Sequence, residues 1–215
     1  MNNAAKKLII ALDDLSLDEA LRVVEKTKAF AETYKIGLSL FCAYGPSIIR
    51  EIKALGVEIF LDLKLHDIPM QVAKAVESAL KFEPKFLTLH ALGGRAMLQA
   101  ATKVAQGSTT KLLAVSVLTS MDLPEWQDLG FSESIDKSVN RLLDLSFESG
   151  VRGFVSSPHE AAALKLRFLE DAVLVCPGIR SNSGAPDDQK RIMSAFQAIE
   201  AGADYLVVGA THYQI

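Results

Sequence analysis

The chain has 215 residues, 49% hydrophobic and 23% charged, with a formal net charge of −3. That length suits one substantial core, expected as a single domain over residues 1–215. The charge balance offers no global basic field for nucleic acid, so any anion must be captured locally. The apolar run LIIAL ends in Asp13 and Asp14 and is too short for a signal-peptide core, and no run approaches a membrane span. A cytoplasmic location is expected. Cys42 and Cys176 are far apart in apolar surroundings, which predicts two buried thiols rather than a disulfide.

In chain order, short apolar runs alternate with longer amphipathic segments. KLIIALD (7–13), YKIG (34–37), EIFLDLK (58–64) and KFLTLHA (85–91) read as the first four strands. KLLAVSVL (111–118), RGFVSS (152–157), AVLVCPG (172–178) and DYLVVGA (204–210) follow. Their length and β-branched content fit strands buried on both faces. LDEALRVVEKTKAF reads as a helix after an N-cap at Ser16, and QVAKAVESALKF carries a helical apolar stripe. RAMLQAATKVAQ, SVNRLLDLSFES, HEAAALKLRFLE and QKRIMSAFQAIEAG read as further helices, with Gly56, Gly107, Gly150 and Gly202 at helix stops. Trp126 is expected to pack a loop after the fifth strand.

Eight strands alternating with helices predict a parallel sheet with helical crossovers, and eight closes a (β/α)8 TIM barrel. The rival is an open doubly wound sheet, which calls for a Gly-rich phosphate turn after the first strand; ALDDLSLDE has none. The chain stops a few residues after the eighth strand, so the barrel is expected to lack its last helix.

In such a barrel, catalytic groups collect at the C-terminal strand ends. Asp13 ends the first strand, Lys35 lies in the second, and Asp62 and Lys64 end the third, with Asp67 just beyond. His90 ends the fourth, Thr119 follows the fifth and Arg180 the seventh. Residues i and i+2 of a strand share a face, so Asp62 and Lys64 should point the same way, with Phe60 one layer deeper. A structural ion-pair network explains one such pair. Alternating charges at successive strand ends favour a catalytic array. His66, His90 and His159 read as structural or surface residues.

DLKLHDIP (62–69) resembles the signature of the orotidine 5′-monophosphate decarboxylase family. ALD (11–13), KIG (35–37), VLTSM (117–121), PGIR (177–180), DQKRIM (188–193) and VVG (207–209) match it in order along essentially the whole chain. The resemblance implies decarboxylation of a pyrimidine nucleotide to uridine 5′-monophosphate, with no metal and no organic cofactor. It implies Lys64 as proton donor, Asp62 beside the leaving carboxylate, and Lys35 and Asp67 completing the array. It implies a homodimer, with Asp67 and Ile68 contributed across the interface. Asp13 is expected at the ribose or at Lys35, Ile68 and Thr119 at the base, and Arg180, Gln189 and the Gly209 amide at the phosphate.

Two positions depart from the family. Gln71 stands where Thr is usual. Ala210 replaces an Arg that pairs with phosphate, leaving only a backbone N–H. Two alternatives therefore stand beside the main expectation. One is a shortened, weakly active or inactive nucleotide-binding product. The other is a magnesium-dependent sugar-phosphate relative, in which an acidic residue replaces Lys35.

Overall fold

The computed structural model describes residues 6–179 and 193–209, without the side chain of Glu170. Eight parallel strands close into a barrel in sequence order. They are β1 (Leu8–Ala11), β2 (Thr33–Gly37), β3 (Glu58–Leu65), β4 (Phe86–His90), β5 (Lys111–Val115), β6 (Gly153–Val155), β7 (Val173–Cys176) and β8 (Tyr205–Gly209). Closure is made by β1, whose Ala11 registers with Lys35 of β2 on one side and Gly209 of β8 on the other. This is the (β/α)8 TIM barrel expected from the strand count, not the open sheet.

Helices cover the outside: α1 (Leu17–Thr27), α2 (Leu38–Tyr44), α3 (Ser47–Lys53), α4 (Pro69–Leu80), α5 (Gly94–Ala105), α6 (Leu123–Asp128), α7 (Ile135–Glu148), α8 (Ala161–Phe168) and α9 (Ala195–Glu200). Ser16 caps α1 as expected, and Glu19 reaches back to the Ser16 amide at 2.8 Å, completing a capping box. Gly150 turns the chain out of α7 at φ +92°, a conformation that costs other residues a Cβ clash.

Local features differ from the expected elements or add to them, and the helix expected over QKRIMSAFQAIEAG begins only at Ala195, after an N-cap at Ser194. The chain between β2 and β3 forms two short helices, α2 and α3, split at Gly45-Pro46. Trp126 lies in a helix rather than a loop: α6 is started by a capping box between Asp122 and Glu125. The indole stacks on Phe131 at 4.0 Å and donates to Ser138 Oγ at 3.0 Å. Cys42 is exposed on α2, while Cys176 is buried, and both are free thiols. Burial pushes the Cys176 thiol up to about 12, so it stays protonated and inert.

The core has two layers. Strand residues facing out meet the helices, as Ile10, Ile36, Leu61, Leu87 and Leu89 do. Inside the barrel, Ile9, Ala11, Phe60, Phe86, Leu113, Val175 and Val207 pack on one another. Phe86 meets Phe60 and Tyr205 edge-on, at 5.8 and 5.0 Å between centroids. The interior below the mouth is thus filled, and the mouth itself is where polar groups can gather.

Gly153 on β6 marks how tight this filling is. A Cβ there would collide with Leu113 Cδ2 and lie 3.1 Å from the Leu112 carbonyl oxygen. Gly153→Ala should therefore destabilise the fold by about 1–3 kcal/mol through overpacking. Urea denaturation at constant m checks this.

Candidate active site

Four charged side chains form a row across the barrel mouth. Asp13, in the turn after β1, pairs with Lys35 of β2. The Lys35 ammonium also lies 3.5 Å from Asp62 Oδ2 on β3. Lys64 Nζ donates to both Asp62 oxygens, at 2.9 Å each. The sequence runs Asp13, Lys35, Asp62, Lys64: alternating in sign and neutral in sum.

Burial makes this row unusual. Lys35 and Asp62 are the only charged residues buried among those described, at 9% and 8% exposure. An unpaired charge there would be strongly disfavoured. Every Asp62 lone-pair region is instead occupied: Lys64 takes both oxygens, Lys35 approaches Oδ2, and the Thr88 hydroxyl donates to Oδ1 at 2.9 Å. Burial alone would raise the Asp62 carboxyl. The charges of Lys35 and Lys64, with hydrogen bonds from Lys64 and Thr88, outweigh it and hold Asp62 below the usual carboxylate range.

Backbone features create the space. Gly37 registers with Asp62 across β2 and β3, and a Cβ on it would collide with Asp13 Oδ1 and lie 3.3 Å from Lys35 Nζ. β3 is also irregular where it carries the charges. Its pairing with β4 runs Leu61 to Leu87 and then jumps to Leu65 with Leu89. Asp62, Leu63 and Lys64 thus face one β4 residue, Thr88. Lys64 sits at φ +47°, where L residues are rarely found. Asp62 and Lys64 do point together, as expected, but a bulge rather than a regular pleat brings them there.

The remaining expected site residues divide. Asp67 stands apart from the row, exposed after β3, its Oδ1 accepting the Ile68 N–H at 2.6 Å. Ile68 caps α4 and is 63% exposed. Gln71 is exposed in the first turn of α4, and Thr119 is half-buried in the turn after β5. Gly209 ends β8 beside Ala11, which brings it to the mouth near Asp13. Arg180, Gln189 and Ala210 lie outside the described residues. Thr88 joins the site as a residue not expected there; its signal in the sequence is a lone hydroxyl in the apolar strand FLTLH.

His66 and His90 stack at 5.4 Å beside the row. His90 is pushed down to about 4, first by burial and then by the charges of His66 and Lys64. It is therefore neutral near pH 7, and its Nδ1 accepts the Leu92 N–H at 3.4 Å, which fits the structural role expected of it.

The model of the family described as orotidine 5′-phosphate decarboxylase / HUMPS matches residues 6–214. An orotidine 5′-phosphate decarboxylase of Opitutus terrae is 44% identical over 204 residues, covering 94% of this chain and 89% of the relative. One from Carboxydothermus hydrogenoformans is 39% identical over 211 residues, covering 95% and 88%. The crystal structure of orotidine 5′-phosphate decarboxylase from Lactobacillus acidophilus superposes with a TM-score of 0.81 at 30% identity, over 95% of this chain and 90% of that one.

His90 generates a pH prediction. Its folded value lies below the ordinary 6.5, so the unfolded chain binds more protons between the two values. The stabilisation is complete above about pH 6.5 and is lost as pH falls toward 4. His90→Asn keeps an acceptor for Leu92 but cannot titrate. From pH 7 to 4.5, wild type should lose about 1–2 kcal/mol more stability than the variant, a value reduced for partial exposure. Denaturant titrations at both pH values read the difference.

Proposed function

The chain belongs to the orotidine 5′-phosphate decarboxylase / HUMPS family, and we propose that it is a carboxy-lyase converting orotidine 5′-monophosphate to uridine 5′-monophosphate in pyrimidine biosynthesis. The names of its relatives support the reaction. The alternating row Asp13–Lys35–Asp62–Lys64 is the observation that carries the mechanism.

In this reading the substrate carboxylate lies beside Asp62. Held ionised by its neighbours, Asp62 repels a second carboxylate and favours its departure. The bond between ring carbon six and the carboxylate breaks, carbon dioxide leaves, and the electron pair stays on the carbon. The Lys64 ammonium stabilises that charge and then transfers a proton to the same carbon, and solvent reprotonates the amine. Lys35 keeps Asp62 charged and Asp13 oriented toward the ribose. Because the donors are fixed before reaction, little reorganisation accompanies the charge transfer.

Phosphate binding falls to Arg180, Gln189 and the Gly209 and Ala210 amides, with binding energy from that remote group assembling the site. Thr119 and Ile68 approach the base. Asp67 and Ile68 serve the site of a second copy in a homodimer. The exposure of Ile68 and Met70, at 63% and 64%, gives that partner an apolar surface to cover.

The reaction needs no metal in this reading. A magnesium-dependent sugar-phosphate relative would use carboxylates at this mouth for the cation. Here Asp13 and Asp62 are both engaged by ammonium groups, and Lys35 between them would repel a divalent ion.

Purified protein incubated with orotidine 5′-monophosphate and chelator should form uridine 5′-monophosphate, followed by pyrimidine absorbance. Lys64→Ala should lower kcat by roughly 10²–10⁴-fold or more. Nucleotide binding without turnover by folded wild type, or activity that returns only with magnesium, would overturn the proposal. Gly37→Ala should push Asp13 away from Lys35 and lower kcat/KM at least about tenfold while leaving the barrel folded, as read by kinetics and circular dichroism together.

A further inference from the structure

We propose that Thr88 is a positioning residue for the reacting pair, its hydroxyl holding the Lys64 backbone in its turned conformation and the Asp62 carboxylate against the Lys64 ammonium. This rests on the decarboxylase reading of Lys64 and Asp62.

The bulge in β3 leaves a backbone donor to be satisfied. Three β3 residues, Asp62 to Lys64, oppose one β4 residue, so the β4 backbone cannot pair with them in regular register. The Lys64 N–H needs another acceptor, and it finds Thr88 Oγ1 at 2.8 Å. The same hydroxyl has one proton to give and donates it to Asp62 Oδ1 at 2.9 Å. Asp62 in turn accepts from Lys64 Nζ. The hydrogen bonds form a ring that starts at the Lys64 amide, runs through Thr88 and Asp62, and returns to the head of the same lysine.

The ring does two things. It ties Lys64 at φ +47°, a conformation that needs outside support. It also fixes the rotation of the Asp62 carboxylate, so both oxygens meet the ammonium. Thr88 is fully buried, and water does not readily substitute for it. An N–H donating to a hydroxyl that donates to a carboxylate is polarised cooperatively, each bond strengthening the next. Ser supplies the same two bonds. Val matches the shape of Thr and supplies neither.

The test compares Thr88→Val and Thr88→Ser with wild type by two readouts. Steady-state kinetics with orotidine 5′-monophosphate should show kcat reduced about ten- to a hundredfold in the Val variant, with KM within about threefold. The Ser variant should stay within about threefold of wild type in both. Carboxyl-carbon NMR titration of ligand-free protein should show Asp62 protonating at higher pH in the Val variant, since one bond to its charged form is gone, and unmoved in the Ser variant. Should the Val variant not fold, Thr88→Cys, a much weaker donor and acceptor, takes its place with the same expected directions. Unchanged kcat or an unmoved Asp62 titration in the Val variant would overturn the assignment. A Ser variant as impaired as the Val variant would also overturn it, because the methyl group would then be what matters. If wild type fails to decarboxylate while the Asp62 titration still separates Val from Ser, the reaction assignment fails and the positioning of Asp62 by Thr88 stands.

Discussion

A buried carboxylate shared between two ammonium groups organises this molecule's mouth. Asp62 is 8% exposed, and an ionised acid at that depth persists only with full compensation. Lys35 and Lys64 supply opposite charge, and Thr88 supplies a neutral donor. Each partner lies on a different strand or strand position, so the site exists only once β2, β3 and β4 are in register. Site assembly therefore depends on the pairing of these three strands.

The barrel explains why the charges can be held so closely. Below them, Phe86 packs edge-on against both Phe60 and Tyr205 and fills the interior with apolar rings. Above them the strands end and the loops begin. A low-dielectric floor with an open top strengthens interactions among the fixed charges while keeping one side accessible to a ligand. Gly37 contributes by absence: a side chain at that point would occupy the place of Asp13.

Much of this was legible in the residues. Each strand is a short apolar run bounded by turn residues, and parallel strands buried on both faces require that composition. The helices that escaped reading have clear reasons. α2 and α3 are seven residues each, divided at Gly45-Pro46, too short for an apolar stripe to repeat. The start of α6 did carry a signal, the spacing of Asp122 and Glu125 around Leu-Pro. Cys42 has apolar neighbours in sequence yet faces outward, because neighbours along a helix point in different directions. Asp67 shares the motif with Asp62 and Lys64, but the chain has left β3 by then and turns its carboxylate to the start of α4.

The barrel, the identity of the charges at the strand ends and the family are all readable along the chain. The first two follow from local composition and from spacing along one chain, the family from the resemblance of DLKLHDIP and the motifs around it. How the charges meet is set by pairing between strands distant in the chain. The extra residues in β3 shift its register against β4, turn Lys64 into a left-handed conformation and leave its amide for Thr88 to receive. A register shift is a relation between two strands far apart in sequence. Neither strand encodes it alone, and so Thr88 reads as one more residue of a buried strand until the barrel closes.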